Sequence, residues 1–382
     1  MSSVRFASPG PAPVAPVRPV SRTVHGTALH DDYGWLRAEN WREVLRDPTA
    51  LPDDIRAVLD AENAYCAATM APTGTLQATL FGELRGRIKE DDADIPSVDG
   101  PYEYYDRFRQ GGQHRLVRRR KTGGGEEEIL IDGDELGKGK AFFALAAAVI
   151  APDHSLLGWS ADEKGSEYYT IRVRDLASGA DRGDAIPDTD GSVVWNAAGS
   201  GFFYVRLDEN HRPNRIYFHR LGAPAAEDEL IFEETDPGWS IDIHRSRSRR
   251  FCVVEISDHN SAEAWLIDLH APGARPRLVE PRMTGVRYEV EPHGDRIYIR
   301  TNADGAEDFK IVEAPLDSPG RAGWRDVVAH QPGRFIAYLT SFRDWLVRLE
   351  REDSLPRIIV RDIARGEEHP IAFDEEAYAL FT

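Results

Sequence analysis

Apolar residues near the start of the chain recur at the three- and four-residue spacing of amphipathic helices. Ile55, Val58 and Leu59 form one stripe after a pair of acids, and Pro72 ends it. The segment Thr75–Ile88 carries a second stripe, with leucine or isoleucine at every fourth position. The pattern predicts two helices whose apolar stripes pack in an ordinary core.

From about Tyr102 the pattern changes to short runs of aromatic and β-branched residues separated by turn residues, which is typical of antiparallel strands. An apolar–variable–charged–apolar signature recurs at Val173–Leu176, Phe218–Leu221, Leu266–Leu269, Ile311–Ala314 and Val360–Ile363. The third residues lie at 175, 220, 268, 313 and 362, so the spacings are 45, 48, 45 and 49 residues. An earlier copy covers Leu116–Arg120. This period, with about four strands in each unit, indicates the blades of a β-propeller.

The repeat predicts the fold class and the domain boundaries. Helical repeats would show a 3.6-residue periodicity, and a β-sandwich would not keep such regular spacing. Glu367–Phe373 is predicted as the outer strand of a sixth blade, and Glu376–Phe381 as the opening strand of a seventh. We therefore expect an all-β, seven-bladed-type propeller with six blades and the start of a seventh. The predicted domains are a disordered leader over 1–20, a helical N-terminal arm over 21–95 and the propeller over 96–382.

Composition narrows the class of partner. The 382 residues include 47 Lys and Arg against 65 Asp and Glu, a formal net charge of −18. This balance disfavours nucleic acid and anionic membranes as partners and suits a cationic ligand, although general solubility is the stronger explanation. The two cysteines, Cys66 and Cys252, make no disulfide framework, and the longest apolar run, Ala141–Ala151, is too short to span a membrane. We expect a soluble, cytoplasmic protein.

Motifs for catalysis are weak in this sequence. Gly158–Asp162 and Gly238–Asp242 resemble a nucleophile elbow but lack its second glycine, so neither Ser160 nor Ser240 is expected to act as a nucleophile. Gly137–Gly139 lacks the rest of a phosphate-binding loop, and no zinc-ligand spacing occurs. The site prediction is that catalytic residues, cofactor and metal are all absent, with the substrate-binding residues unknown.

Two charged features receive a simple structural interpretation. The basic stretch Arg115–Lys121 alternates along a predicted strand, so we expect a solvated rim and no anion site. The acid pairs Glu233–Glu234 and Glu375–Glu376 are expected in solvated turns.

Several segments carry a resemblance to a known family. Asp31–Arg37 resembles the D-x-Y-x-W-L entry motif of the prolyl oligopeptidase family of serine peptidases. Ala61–Tyr65, the GRIKEDD string over Gly86–Asp92 and the blade segment Pro152–Leu176 are similar to its oligopeptidase B branch. The resemblance spans essentially the whole chain.

The resemblance implies a seven-bladed propeller that caps a C-terminal α/β-hydrolase domain. It further implies a Ser-Asp-His triad in that domain, cleavage of short peptides after Lys or Arg, and an N-terminal arm that wraps onto the hydrolase. No family catalytic residue matches a position in this sequence, so we expect the chain to be the substrate-gating propeller portion, inactive by itself. Its partners would be the hydrolase domain and short basic peptides, which the acidic charge of the propeller would attract.

Two other interpretations stay open. The chain could be a free-standing propeller that binds peptides or proteins, or a product that folds poorly because its ring is unclosed. We also expect Trp35, Leu36 and Trp41, which a hydrolase domain would cover, to be exposed here and to promote aggregation or dimerisation.

Overall fold

The computed structural model describes residues 9–271 and 273–380. The chain divides into two compact units: Met1–Ala144 with Glu163–Ser166 (unit 1), and Leu145–Asp162 with Glu167–Thr382 (unit 2). This division falls inside the stretch predicted as one propeller. The predicted domain boundary between residues 95 and 96 stays a prediction, and residues 1–8 of the predicted leader lie outside the described residues.

Unit 1 combines a hairpin, four helices and one sheet. The hairpin joins β1 (Val20–Val24) to β2 (Thr27–Asp31), and the helices are α1 (Trp41–Arg46), α2 (Asp53–Met70), α3 (Gly74–Gly86) and α4 (Gly133–Gly137). The sheet contains β3 (Ser97–Asp99), β4 (Tyr102–Arg107), β5 (Leu116–Lys121) and β6 (Glu128–Asp132), paired in that order.

The hairpin lies in a section that the sequence predicted to be helical. Val24 pairs with Thr27, so His25 and Gly26 form the two-residue turn, with φ values of 50° and 79°. Two residues with positive φ make the tight turn whose twist suits a hairpin, and glycine adopts that conformation without steric cost. The His-Gly pair was the local signal that the helical interpretation missed.

Helices α2 and α3 lie where the spacing predicted them, but the stripe on α3 is not packed as expected. Leu76, Leu80 and Leu84 are 51%, 47% and 60% exposed. The prediction that this stripe packs in an ordinary core is therefore wrong for the described residues.

The three apolar residues that the sequence predicted to be exposed in this unit are partly buried. They are Trp35, Leu36 and Trp41. The Trp35 indole Nε1 donates a hydrogen bond to the carbonyl oxygen of Pro16 at 3.0 Å, and the Arg18 guanidinium lies 3.9 Å from the centre of a Trp35 ring. These three side chains are therefore less exposed than the leucines of α3.

Unit 2 is built from antiparallel strands in successive groups of four. Group 2 contains β7 (Ala144–Ile150), β8 (Leu156–Asp162), β9 (Tyr169–Asp175) and β10 (Asp181–Thr189); group 3 contains β11 (Val194–Trp195), β12 (Gly201–Leu207), β13 (Pro213–Arg220) and β14 (Glu229–Glu233). Group 4 contains β15 (Ser240–Arg245), β16 (Phe251–Ser257), β17 (Ala262–Asp268) and β18 (Arg277–Glu280).

Two further groups complete the described strands. Group 5 contains β19 (Tyr288–His293), β20 (Arg296–Thr301), β21 (Lys310–Pro315) and β22 (Arg325–Val328); group 6 contains β23 (Arg334–Ser341), β24 (Trp345–Glu352), β25 (Leu355–Asp362) and β26 (Glu368–Pro370). Groups 2 and 3 join into one eight-stranded sheet through the pair Thr189–Arg206. The sheet of unit 1 is numbered group 1.

The sequence repeat maps onto equivalent strands of these groups. Each copy of the apolar–variable–charged–apolar signature overlaps the end of a third strand, on β9, β13, β17, β21 and β25, and the earlier copy lies on β5. The apolar runs that precede the copies lie on the second strands. The predicted strands are therefore confirmed as a repeating antiparallel unit.

The second strands are apolar at successive positions because both of their faces are buried. On β12, Phe202 and Tyr204 belong to a core shared with group 2, whereas Phe203 and Val205 belong to a core shared with group 4. Two more cores lie between groups 4 and 5 and between groups 5 and 6. Side chains alternate between the two faces of a strand, so stacking of successive sheets buries both sets.

The end of the described chain differs in part from the expectation. Strand β26 lies within the predicted outer strand Glu367–Phe373 and pairs with β25. Residues 376–380, predicted to open a further blade, are not in a strand, and Phe381 lies outside the described residues.

Candidate functional site

The first strands of successive groups meet along one side of unit 2. Each first strand of groups 4, 5 and 6 is an edge strand, paired within its sheet only to the second strand. At the end of β23, the Ser341 hydroxyl donates a hydrogen bond to Glu291 Oε1 on β19 at 2.8 Å. Polar side chains of different groups therefore come together at these edges.

Carboxylates are concentrated at this side of unit 2. The carboxylate cluster consists of Asp190, between β10 and β11, Asp242 on β15, Glu255 on β16 and Glu289 on β19. Asp242 and Glu255 are direct cross-strand partners. Like charges placed opposite each other destabilise an antiparallel pair, so this arrangement works against the stability of the sheet that carries it.

Burial and mutual repulsion raise the pKa values of two members. Burial is the main cause that raises the pKa of Glu255 to about 7, and the charges of Glu289 and Asp242 add to it. Burial likewise raises the pKa of Asp190 to about 6, with a further contribution from Asp242 and opposition from hydrogen bonds that Ser192 donates. A cation placed among these groups would favour their charged forms.

Few positive charges compensate the cluster. The Arg300 guanidinium donates from Nη1 to Glu289 Oε1 at 2.7 Å and from Nε to the carbonyl oxygen of Ile336 at 2.7 Å. Burial lowers the pKa of His244, against the opposing effect of Asp242 and Glu289, which favours the neutral imidazole. The site therefore keeps excess negative charge.

The cluster does not have the geometry of a metal centre. Within residues 9–271 and 273–380, no group of three or more His, Cys, Asp or Glu side chains could hold a metal ion. Carboxylates spread over separate strands suit an extended cationic ligand better than a single chelated ion.

The serines of the two elbow-like strings have structural surroundings. Ser160 lies on β8 and is fully buried, its hydroxyl donating to the carbonyl oxygen of Gly191 at 2.7 Å and accepting from the backbone N–H of Ala147 at 3.1 Å. Ser240 begins β15 with no helix following. That neither serine acts as a nucleophile stays a prediction.

Two expectations about charged segments are wrong. The stretch Arg115–Lys121 is not a solvated rim: Arg119 is 6% exposed and its Nε donates to Glu128 at 2.6 Å, while Arg120 pairs with Glu103 at 2.6 Å. Of the two acid pairs, Glu233–Glu234 is not in a solvated turn, since Glu233 ends β14 and Glu234 is 6% exposed and pairs with Arg282. Partly buried charges of opposite sign are paired here, as burial requires. Glu375 and Glu376 are exposed and lie outside the helices and strands, as expected.

Sequence reasoning missed the carboxylate cluster entirely. Its members stand singly in the sequence, up to 99 positions apart, from Asp190 to Glu289. The available signal was an acid at an otherwise apolar or β-branched strand position, as at Glu255 between Val254 and Ile256.

In the described part of the chain, no helix has the length and apolar character to cross a membrane.

Comparison with known proteins agrees with this architecture. The profile of the family described as "Prolyl oligopeptidase, N-terminal beta-propeller domain" matches residues 13–382. Dipeptidyl aminopeptidase BI from Pseudoxanthomonas mexicana is 34% identical over 100% of this chain and 53% of the relative, and Protease 2 from Moraxella lacunata is 29% identical over 96% and 52%. The chain thus spans about half the length of these relatives.

Solved structures lead to the same family. Oligopeptidase B from Leishmania major superposes with a TM-score of 0.87 and 27% identity, over 96% of this chain and 54% of that structure. Oligopeptidase B from Trypanosoma brucei, with covalently bound antipain in a closed form, gives a TM-score of 0.86 with 27% identity, over 96% and 54%. The chain belongs to the prolyl oligopeptidase family and corresponds to its N-terminal β-propeller portion.

Proposed function

We propose that this chain is the substrate-gating propeller portion of an oligopeptidase B-like serine peptidase that cleaves short peptides after Lys or Arg. The observation that carries the proposal is the carboxylate cluster, which concentrates excess negative charge in a propeller from a peptidase family. In a seven-bladed ring, the first strands would border the axial channel. Cationic peptides would be enriched there because a recess lined by one sign of charge focuses its field.

The chemistry itself would lie in a C-terminal α/β-hydrolase domain, the partner implied by relatives about twice as long as this chain. The exposed leucines of α3 support such a partner, since contiguous apolar surface on a helix marks an interaction site. We assign the helical arm to residues 21–95, the propeller to 96–382 and the protein to the cytoplasm.

A peptide-binding measurement tests this function. A fluorescein-labelled hexapeptide, Ala-Ala-Arg-Arg-Ala-Ala, is expected to bind the chain, and its affinity to fall as salt is raised. At pH 8, where Glu255 with its pKa of about 7 is mostly ionised, the double variant Glu255→Gln/Glu289→Gln should weaken binding by about tenfold, because two charges of the cluster are lost. The matched control Glu227→Gln/Asp295→Asn removes two exposed acids outside the cluster and should leave the affinity within about twofold.

The outcome against the proposal is equally specific. Equal binding of an Ala-Ala-Gln-Gln-Ala-Ala peptide would show that the cluster does not select cations. Hydrolysis of a fluorogenic Arg-Arg substrate by this chain alone would overturn the assignment of catalysis to residues outside it.

A second activity for the intact enzyme is favoured by one relative. The protein that is 34% identical is named a dipeptidyl aminopeptidase, which indicates release of dipeptides from an amino terminus. Products of a hexapeptide digested by the complete enzyme distinguish the two, since dipeptides alone would favour this second activity. If the chain is instead a free-standing peptide-binding scaffold, we expect it to bind peptides without any associated hydrolase domain.

A further inference from the structure

Two turns from groups that are not neighbours in sequence meet at the end of the first strands of unit 2. The turn after β15 carries Arg247, and the turn after β23 carries Phe342. The Arg247 guanidinium carbon lies 4.7 Å from the centre of the Phe342 ring. This contact joins groups 4 and 6 and skips group 5. It would therefore lie across one end of the axial channel that the first strands border in a seven-bladed ring.

Both turns are held in place by their own backbones. The Ser246 hydroxyl accepts from the backbone N–H of Phe251 at 3.1 Å, and the N–H of Arg249 donates to the carbonyl oxygen of Ser246 at 2.8 Å. In the other turn, the N–H of Phe342 donates to the carbonyl oxygen of Trp345 at 2.7 Å. Ordered turns place the two side chains in contact while leaving the side chains themselves exposed.

Glu291 offers Arg247 a second partner. It lies on β19, the first strand of the group between the two turns, and accepts a hydrogen bond from Ser341, the residue before Phe342. Burial raises the pKa of Glu291 to about 7, and the positive charge of Arg247 opposes that rise. The guanidinium is therefore close enough to be attracted by this carboxylate as well as by the ring.

We propose that the Arg247–Phe342 pair is a gate at one end of the axial channel of the proposed propeller. The gate opens when a Lys or Arg side chain of an incoming peptide replaces Arg247 on the Phe342 ring and Arg247 turns to Glu291. The exchange leaves every charge with a partner, because one cation–π contact is made as another is lost and Arg247 gains a carboxylate. A neutral side chain provides no such replacement. This inference rests on the proposed peptide-handling function and adds a control of entry to it.

The strength of the contact suits a gate. A cation–π contact at an exposed site favours the closed pair by only about two- to fivefold, so it opens readily in solution. Deleting either partner should therefore change entry rates by a similar factor and should not disrupt the fold.

Stopped-flow association of the fluorescein-labelled peptide Ala-Ala-Arg-Arg-Ala-Ala with the chain tests the gate. Arg247→Ala and Phe342→Leu are each expected to raise both the association and dissociation rates about two- to fivefold, with Kd changing less than either rate. Phe342→Tyr keeps an aromatic face and should behave as wild type.

The matched control is Arg343→Ala, which removes one exposed positive charge from the same turn as Phe342. This variant shows how much the loss of one positive charge alone changes the association rate of a cationic peptide. Equal association rates for Arg247→Ala and Arg343→Ala would therefore overturn the gate. Wild-type rates for Phe342→Leu would do the same. If neither wild type nor any variant binds the peptide, the proposed function fails and the gate with it, whereas unchanged rates on a binding chain refute the gate alone.

Discussion

Helix α3 of unit 1 and strand β12 of unit 2 both carry phenylalanine and leucine side chains, but most of the large apolar side chains of β12 are buried and those of α3 are exposed. Phe202, Tyr204 and Val205 of β12 are fully buried between neighbouring strand groups. On α3, Phe81 and Leu84 are 65% and 60% exposed. Unit 2 completes its own cores by stacking one sheet on the next, whereas the apolar face of α3 needs a cover from elsewhere.

This comparison predicts that replacing a phenylalanine by alanine lowers the free energy of unfolding much more on β12 than on α3. Phe202→Ala should lower the free energy of unfolding by about 3–5 kcal/mol, because it leaves a cavity between two sheets. Phe81→Ala, the same change on the exposed face of α3, should alter it by less than about 0.5 kcal/mol. Urea unfolding followed by circular dichroism measures both. Comparable losses would mean that α3 is packed in solution.

The interior of unit 2 also contains a bridge of buried polar side chains. His219, 1% exposed, places Nδ1 2.8 Å from Asp228 Oδ1 and Nε2 3.1 Å from Asp184 Oδ1. His219→Gln should destabilise the fold by about 1–3 kcal/mol, since at least one of the two carboxylates loses one of its hydrogen-bond partners in the interior.

The exposed His259 provides the control for that substitution. His259→Gln should leave the urea midpoint unchanged. Equal midpoints for the two variants would show that the bridge between β10 and β13 contributes nothing to stability.

The carboxylate cluster should weaken unit 2 in a pH-dependent way. The folded-state pKa of Glu255 is raised from 4.5 to about 7, so the folded chain binds the proton more tightly than the unfolded chain, and stability falls as pH rises through that window. At pH 8, Glu255→Gln should be more stable than wild type by about 1–2 kcal/mol, and the difference should disappear near pH 4. Thermal melts at both pH values measure this.

The control for the pH experiment is Glu227→Gln, at an exposed position outside the cluster. A gain at pH 8 shared by this variant, or a gain for Glu255→Gln that persists at pH 4, would contradict the interpretation that ionisation of a buried carboxylate is the cause.

The smallest expected effect concerns the exposed face of α3. Leu80→Gln/Leu84→Gln keeps residues of similar helix propensity, so stability should change by less than about 1 kcal/mol. Self-association should decrease, because two exposed apolar side chains are removed. Light scattering at high protein concentration measures self-association. A wild-type chain that stays monodisperse would contradict the expectation that this face of α3 promotes association.

The strand pattern was predictable because it is local and repeated. A strand buried on both faces must be apolar at nearly every position, so runs such as Phe251–Val254 stand out from the polar turns around them. Helices α2 and α3 of unit 1 were predictable from spacing for the same local reason. Their burial was not, because a stripe specifies which face is apolar and not what covers it.

The carboxylate cluster could not be predicted because it is made by long-range stacking. Asp242 and Glu255 become opposed through strand register, and Glu289 joins them from the next group. Nothing in the local sequence distinguishes these acids from the solvated acids of surface turns.

By itself, the sequence determined the repeating four-stranded unit, the positions of α2 and α3 and the family resemblance, since each depends on residues close together in the chain. Only the tertiary structure decided which apolar face stays uncovered, which charges are paired, as with Arg119 and Glu128, and which carboxylates converge. The physical reason is that burial and charge pairing depend on neighbours that stacking brings together across tens of residues, and local pattern carries no record of them.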